Sequence, residues 1–351
     1  MTAYWLMLAL PVLFALTPGM SARGRFNPFW VGVGFFLVMV VGLRFQVGGD
    51  WDPYWTNFQE AIDTELFDSV IYYKDPGYWF FNWFFANAGL GVWAQNLLCA
   101  ALSVSGVMAV AKRQPLPWVA LAVAVPYILI VVSMGYVRQA AALGLVCWAL
   151  LAVEDKQQWR FLFLALAAAT FHKSAVVIFP FFLFTLERIR LRDWVMLGIV
   201  LSAVLAVLVL ESLESQWNSY VEKEKESEGA LIRVAMNLPP ALLLLIWRKK
   251  LGLQGVAGRT WFWFALASVG ALFLVDIAST AVDRLALYLL PLQMVVFGRL
   301  HLLFELPALR TASAVAVLLF YFTVQFVWLN YANHAHSWVP YQFYPLVGVM
   351  N

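Results

Sequence analysis

Apolar runs of roughly 15–20 residues recur from one end of the 351-residue chain to the other, each long enough to cross a ~30 Å hydrocarbon layer as a helix. Hydrophobic residues make up 63% of the chain and charged residues 12%, which excludes a soluble globular domain. The runs at 118–132 and 312–322 do not alternate apolar with polar residues, which excludes a transmembrane barrel. The sequence therefore predicts an all-α polytopic integral membrane protein.

We predict about 11–12 membrane segments in a single transmembrane domain covering residues 1–351. The first apolar run has no basic n-region, so we interpret it as a first span and not as a signal peptide. The predicted segments are 3–19, 28–43, 91–111, 118–133, 138–153, 161–171 paired with 173–186, 194–210, 233–247, 260–275, 285–299 and 311–330.

Residues 161–186 are predicted to form a re-entrant helical hairpin. A single helix over this stretch would put Arg188, Arg190 and Arg192 on the side opposite all other basic loops. Two half-length helices that fold back around residues 171–174 keep these loops together. Broken helices of this kind are tolerated at membrane depth where they line a cavity.

Basic residues are unevenly distributed between the loops on the two sides of this layout. One side carries 15 of the 23 Lys and Arg residues, which identifies it as cytoplasmic and places both termini outside the cytoplasm. The loops on this basic side are 20–27, 112–117, 154–160, 187–193, 248–259 and 299–310.

Two segments predicted to lie outside the cytoplasm, 44–90 and 211–232, are long and differ in kind. The charge-dense segment 211–232 is typical of a solvated loop. The first holds 15 Phe, Trp and Tyr residues interleaved with carboxylates, a combination that suits a sugar with an apolar ring face and hydroxyl donors. Within it, 78–85 also fits an interfacial amphipathic helix. The glycines and proline of 44–54 predict a fixed, functional loop.

A few cations on the outer side lie at predicted helix ends, where a buried cation needs an anion and function is the default hypothesis. They are Arg44, Arg138, Lys173 and Arg284. Their polar neighbours in sequence are Gln139, His172, Asp283 and Tyr288. Planar guanidinium groups match phosphate oxygens, so this set predicts a site for a lipid diphosphate. A structural ion pair is the alternative for Asp283 and Arg284.

These residues together resemble the Wzy-type O-antigen and exopolysaccharide polymerases of the EpsG-like family, and the resemblance spans most of the chain. Its motifs are Arg44…Gly49-Asp50…Tyr54, Asp75-Pro-Gly-Tyr78 with Asn82, Arg138-Gln139-Ala140, Phe171-His-Lys-Ser-Ala175, Asp283-Arg284…Tyr288 and Trp338-Val-Pro-Tyr341. The resemblance implies a glycosyltransferase-C-like enzyme that needs no nucleotide sugar. It would join undecaprenyl-diphosphate-linked repeat units at the outer face of the bacterial inner membrane. The implied partners are these lipid-linked oligosaccharides, membrane lipid, a chain-length regulator and a flippase, and not nucleic acid.

In such a transfer, negative charge builds on the departing diphosphate, and fixed cations lower the barrier. Arg138 and Arg284 are assigned to the diphosphate, with Lys173 and Arg44 assisting. Asp50 is the leading candidate for the general base, His172 is its rival, and a reaction without a side-chain base is the third alternative. The further substrate-binding candidates are Asp52, Tyr54, Asp75, Tyr78, Gln139, Asp283 and Tyr288.

Two alternatives concern a metal and the class of protein. Asp50-Trp-Asp52 has the pattern of a magnesium-binding carboxylate pair, but a guanidinium cluster makes a cation redundant, so we predict no metal and no cofactor. A lipid-linked oligosaccharide flippase or transporter would show internal repeats and charges near the midplane. The sequence has no convincing repeat, and its outer cations gather at one leaflet, which favours an enzyme. An O-antigen-type ligase is the alternative among enzymes.

Overall fold

The computed structural model describes residues 1–20, 27–66, 75–186, 230–276 and 279–347, together with isolated positions between 191 and 202. These residues are mostly helical and form no strand. The longer elements are α1 (Thr2–Leu16), α2 (Pro28–Gly42), α3 (Trp51–Glu60), α4 (Pro76–Asn87), α5 (Val92–Lys112), α6 (Pro117–Gly135), α7 (Val137–Glu154), α8 (Gln158–Phe171), a 3₁₀ helix (Lys173–Thr185), α9 (Ala230–Trp247), α10 (Gly255–Leu274), α11 (Ser279–Ala286), α12 (Pro291–Phe297) and α13 (Pro307–Tyr331). Shorter turns are Leu287–Leu289, Leu300–Leu303, Ala335–Ser337 and Tyr344–Val347.

Six of the described helices are long and apolar enough to cross a membrane: α5, α6, α7, α9, α10 and α13. The shorter apolar helices are α1, α2, α8 and the 3₁₀ helix. The predicted all-α polytopic membrane fold is thus confirmed. The predicted segment 194–210 and most of the charged loop 211–232 lie outside the described residues.

Helix α6 forms the centre of the bundle, since its apolar window is completely buried. Its middle, Val125–Val132, is π-helical and begins beside Pro126. Next to it, α5 and α7 cross closely at two glycines. A Cβ atom added to Gly144 would lie 2.1 Å from the carbonyl oxygen of Leu102, so only glycine permits this approach. The close crossing holds the start of α7 against the core.

The basic loops meet at one end of the bundle, here called the basic end. The Arg113 guanidinium binds the Asp155 carboxylate, and Trp261 Nε1 donates to Glu154 at 2.7 Å. Arg299 donates to Gln114 at 2.9 Å. These contacts join the loops after α5 and α7 to the start of α10 and the end of α12. The predicted grouping of basic loops therefore holds for the described residues.

The predicted re-entrant hairpin is present. Helix α8 ends at Phe171, His172 adopts an extended backbone with φ −156° and ψ 120°, and the 3₁₀ helix then runs back beside α8. The side chain of Gln158, at the start of α8, donates to the carbonyl of Thr185 at 3.4 Å. The first and last residues of the hairpin therefore lie together at the basic end. The tip of the hairpin, around His172, lies toward the other end of the bundle.

The opposite end, here called the aromatic end, carries the loops at 43–50 and 335–343. Gly48 has φ +109°, its amide donates to Ser337 at 2.8 Å, and a Cβ atom there would lie 2.2 Å from the Met134 carbonyl oxygen. A fixed loop was predicted over 44–54, but helix α3 already begins at Trp51. The fixed loop therefore ends at Asp50.

The chain over 285–299 does not form the single predicted span. Helix α11 ends at Ala286, a 3₁₀ turn follows, and α12 begins at Pro291. Proline has no amide hydrogen to continue a preceding helix but fits the first helical position. The break places Arg284 on a separate short helix at the aromatic end.

Candidate active site

Asp75 is the residue around which the polar cluster at the aromatic end is built. Its carboxylate accepts from Arg138 Nη1 at 2.8 Å and from the backbone amide of Lys173 at 3.1 Å. Asp75 directly precedes Pro76, the first residue of α4, and reaches across to α7 and the hairpin tip. Burial raises the pKa of Asp75, and the Arg138 charge opposes that rise. One carboxylate thus links three elements.

The Arg138 guanidinium lies between two tyrosines. Its Cζ is 5.9 Å from the ring centroid of Tyr54 and 5.9 Å from that of Tyr78, and it also hydrogen-bonds Tyr54. Its side chain keeps 37% exposure although Asp75 is almost buried. Arg138 is therefore held in place on one side and presents its other side to a ligand.

Asp50 lies close enough for the charges of Arg138 and Arg284 to act on it. Burial raises the pKa of Asp50, and these two cations oppose the rise. No hydrogen bond to its carboxylate forms within the described residues, and it does not cap α3. An unengaged, half-buried carboxylate beside two arginines is suited to accept a proton from a substrate.

Asp52 differs from Asp50 in exposure, since it lies in the first turn of α3 and is exposed, whereas Asp50 is half-buried. Within the described part of the chain, no three His, Cys, Asp or Glu side chains come together as a metal site. The expected metal independence stays a prediction.

A second polar chain lines the hairpin tip. His172 Nδ1 lies 2.6 Å from the Ser174 hydroxyl, which donates to the Tyr288 hydroxyl at 3.3 Å. The charges of Arg138, Arg284 and Lys173 all act on His172. The break between α8 and the 3₁₀ helix thus delivers an imidazole and a cationic residue to the cluster.

Asp283 and Arg284 are neighbours in sequence but have different partners. The Asp283 carboxylate accepts from Nε and Nη2 of Arg233, with Arg233 Nη2 at 2.6 Å from Asp283 Oδ2. Arg284 is exposed, and its backbone carbonyl accepts from the Gln139 side chain. The structure therefore favours a supporting position for Asp283 and Gln139, behind the cations that face the ligand.

Arg233 is a residue that the sequence reasoning did not assign. Its guanidinium also hydrogen-bonds the hydroxyls of Tyr127 and Tyr136, and Asp50 acts electrostatically on Tyr136. The available signal was its membership of the small group of basic residues outside the basic loops. Its partner lies 50 positions away, and the sequence does not indicate such a pairing.

Arg44 differs from Arg138 and Arg284 in its burial. It is 2% exposed, and its guanidinium donates to the carbonyls of Val41 at 2.7 Å and Val47 at 3.1 Å. Desolvation of this cation is offset by backbone carbonyls and not by an anion. This environment favours a role in fixing the loop that carries Asp50, in place of the predicted contact to a diphosphate.

The aromatic residues of α4 were predicted either to bind a sugar or to form an interfacial helix, and the structure is compatible with both. Tyr78 and Trp79 are buried toward the cluster, whereas Phe80 and Phe84 are 41% and 47% exposed and stack on each other. The helix therefore lines the site with one face and presents the other to its surroundings, as an interfacial helix does.

The structure brings most of the predicted site residues to one place. The members joined by contact or by mutual electrostatics are Asp50, Tyr54, Asp75, Tyr78, Arg138, His172, Lys173, Arg284 and, through Ser174, Tyr288. Two arginines act on the Asp50 carboxylate, and Lys173 acts on Asp75 and His172. Cations and aromatic rings in one cluster have the chemistry to hold an anion attached to a sugar.

A family model described as the EpsG family matches residues 28–343, nearly the whole chain. All the cluster residues named above lie inside the matched range. No curated protein and no solved structure matches the chain.

Proposed function

Because the chain belongs to the EpsG family, whose members are associated with exopolysaccharide polymerisation, we propose that it polymerises undecaprenyl-diphosphate-linked oligosaccharide repeat units. The observation that carries the proposal is the Arg138 guanidinium, fixed by Asp75 and two tyrosine rings, close enough for its charge to act on the carboxylate of Asp50. The cationic group suits a diphosphate, and the carboxylate suits a hydroxyl nucleophile.

In the proposed reaction a hydroxyl oxygen of the acceptor unit attacks the anomeric carbon of the donor chain. A glycosidic bond forms, the bond from that carbon to the diphosphate oxygen breaks, and undecaprenyl diphosphate departs. Arg138 and Arg284, assisted by Lys173, stabilise the charge that develops on the leaving oxygens. Asp50 takes the proton of the attacking hydroxyl.

The aromatic side chains hold the sugars in this proposal. Tyr54 and Tyr78 flank Arg138, so a pyranose next to the diphosphate would meet their rings. Asp52, exposed beside them, is available to a sugar hydroxyl further from the diphosphate. His172 and Tyr288, joined through Ser174, would offer further hydrogen-bonding groups to the sugars.

The decisive experiment is an assay with the purified full chain in detergent or nanodiscs. We incubate it with a synthetic lipid-diphosphate-linked repeat unit, without nucleotide sugar, and separate the products by size. A ladder of products with released lipid diphosphate supports the polymerase. Vesicle translocation without new linkages would identify a flippase, and transfer of sugar only to a different acceptor lipid would identify a ligase. Either result overturns the proposal.

The proposed location is the bacterial inner membrane, with the aromatic end facing outward. Cys99 and Cys147 are buried, so an introduced cysteine is labelled over a low background. In intact cells an impermeant thiol reagent should label cysteine at Thr56 on α3 and not cysteine at Gln254 at the basic end. The reverse pattern would place the site on the cytoplasmic side.

A further inference from the structure

A cleft of about 530 Å³ opens at the basic end, far from the site described above. It lies where α9 turns into α10, and Gly252 and Gly255, with φ +69° and +60°, make that turn. The amide of Leu253 donates back to the Arg248 carbonyl at 3.1 Å, which fixes the turn. The cleft is lined by Arg248, Lys249, Leu253, Gln254, Gly255, Gly258 and Arg259.

Three of these lining residues are cations that make no ion pair within the described residues. The Arg248 guanidinium lies 5.3 Å from the ring centroid of Phe262, and that of Arg259 lies 5.6 Å from the ring of Phe184. Aromatic contacts orient a guanidinium without neutralising it. By contrast, Arg113 at the same end is neutralised by Asp155. Among the described residues, the cleft thus concentrates positive charge that no carboxylate neutralises.

The backbone adds to this field. Helix α10 is 20 residues long, and Gln254 at its N-cap makes no side-chain capping bond, so the first amides of the helix remain available at the cleft. Gly258 cannot be enlarged without clash, because a Cβ atom there would lie 2.5 Å from the Leu253 carbonyl oxygen. Backbone donors and three cations therefore line one cleft.

The surface next to the cleft is strongly apolar. Ile246 on α9 is 65% exposed, and Trp263, one turn beyond Arg259 on α10, is 52% exposed. Trp247 is also partly exposed, and tryptophan is favoured at the level of lipid head groups. An anion bound in the cleft would therefore have apolar side chains beside it, at the boundary of the membrane.

We propose that this cleft binds the phosphate head group of an anionic diacyl phospholipid, such as phosphatidylglycerol, with its acyl chains along α9 and α10. Charge alone is common on the cytoplasmic side of membrane proteins. The turn brings together three cations, which form no ion pair with the described residues, and a helix N-terminus beside an exposed apolar surface. This combination is suited to one ligand that carries both a negative charge and apolar chains. The proposal is independent of the polymerase activity.

The test uses native mass spectrometry of the full chain with defined lipids. The cleft variant combines Arg248→Gln, Lys249→Gln and Arg259→Gln, and the matched control combines Lys112→Gln, Lys156→Gln and Arg310→Gln, with the same charge change at the same end. We expect the parent and the control to retain phosphatidylglycerol in preference to phosphatidylcholine. The cleft variant should bind phosphatidylglycerol about tenfold more weakly or worse.

Three results would overturn the proposal. Equal loss in the cleft variant and the control would mean that net charge alone attracts the lipid. Unchanged retention in the cleft variant would place the lipid elsewhere. Displacement of the lipid by millimolar inorganic phosphate would mean that the cleft recognises free phosphate and not a lipid. Circular dichroism of both variants establishes that each remains helical.

Discussion

Two arginine–aspartate pairs at opposite ends of the bundle differ in what surrounds them. Arg138 and Asp75 at the aromatic end have side-chain exposures of 37% and 5%, and Arg113 and Asp155 at the basic end have 46% and 26%. Around the first pair lie two tyrosine rings, a backbone amide from a helix break and the carboxylate of Asp50, which accepts no hydrogen bond from the described residues. The second joins two loops. The comparison indicates that the residues around an arginine–aspartate pair, and not the pair itself, decide whether it can take part in binding a ligand.

The largest expected effect comes from Arg138. Arg138→Ala removes a donor aimed at the leaving diphosphate, which typically costs about 3–4 kcal/mol, or several hundredfold in rate. Arg138→Lys keeps the charge but loses the planar fork and the contacts to both rings, so it should also be strongly impaired. Product ladders from lipid-linked repeat units measure both rates, and immunoblots of membranes measure the amount of protein.

Arg113→Ala is the matched control, because it breaks an arginine–aspartate pair of similar length at the other end. It should polymerise within a few-fold of the parent. Normal polymerisation by Arg138→Ala would mean that the Arg138–Asp75 pair is no more important for activity than the Arg113–Asp155 pair. Loss of Arg138→Ala from the membrane would instead make Arg138 a structural partner of Asp75.

The next largest effect concerns Asp50 and pH. A general base must be unprotonated, and burial raises the pKa of Asp50. We therefore expect kcat/KM to be at its maximum above this raised pKa and to fall as the pH drops through it. The fall should begin at higher pH than for an exposed aspartate. Asp50→Asn should lower the rate about a hundredfold and abolish this acid limb.

Asp52→Asn serves as the control for Asp50, since it makes the same chemical change two residues away on an exposed side chain. It should keep the acid limb of the parent. An Asp50→Asn protein with unchanged rate and pH profile would favour His172 or a reaction without a base.

A smaller effect is expected from the pair of Arg233 and Asp283. This pair fixes α11 against α9 and so positions Arg284, and a slight displacement of a catalytic group lowers the rate by about tenfold or more. Arg233→Asp should therefore impair polymerisation mainly through kcat. The double variant Arg233→Asp/Asp283→Arg restores opposite charges and should exceed the single variant in rate. If it does not, Arg233 has a role beyond the pair, such as direct contact with substrate.

Much of the fold was predictable because its signals are local. Hydropathy located the six long spans, and the positions of basic residues required the hairpin around His172, which the contact between Gln158 and Thr185 confirms. Arg138 could be selected because cations at helix ends in an apolar chain need partners. Asp50 and Asp75 could be selected because they lie among the aromatic residues of segment 44–90, a combination that suits a sugar.

The remainder depends on long-range contacts without a sequence signal. Arg44, like Arg138, is a cation at a predicted helix end, but its partners are the backbone carbonyls of Val41 and Val47. Because every residue has a backbone carbonyl, no residue type in the sequence could indicate this pairing. The pairing of Arg233 with Asp283 follows from how α9 and α11 pack. For the adjacent residues Asp283 and Arg284, the sequence left an ion pair with each other as an alternative. In the structure, Asp283 binds Arg233, and the Arg284 carbonyl accepts from Gln139.

The smallest expected effect is on stability at the basic end. The Arg113–Asp155 pair has good geometry, with Arg113 Nη2 at 2.6 Å from Asp155 Oδ2, but both side chains are partly exposed. Such pairs contribute roughly 0–1 kcal/mol, because solvent and salt screen the attraction and two side chains lose rotamer freedom. Arg113→Ala should therefore lower the unfolding temperature only slightly, by an amount that shrinks further at high salt. Thermal unfolding in detergent at low and high salt measures this difference. A large loss of stability that persists at high salt would mean that the Arg113–Asp155 pair is desolvated, like Arg138 and Asp75. The two pairs would then differ only in the polar and aromatic residues around them, and not in their exposure to solvent.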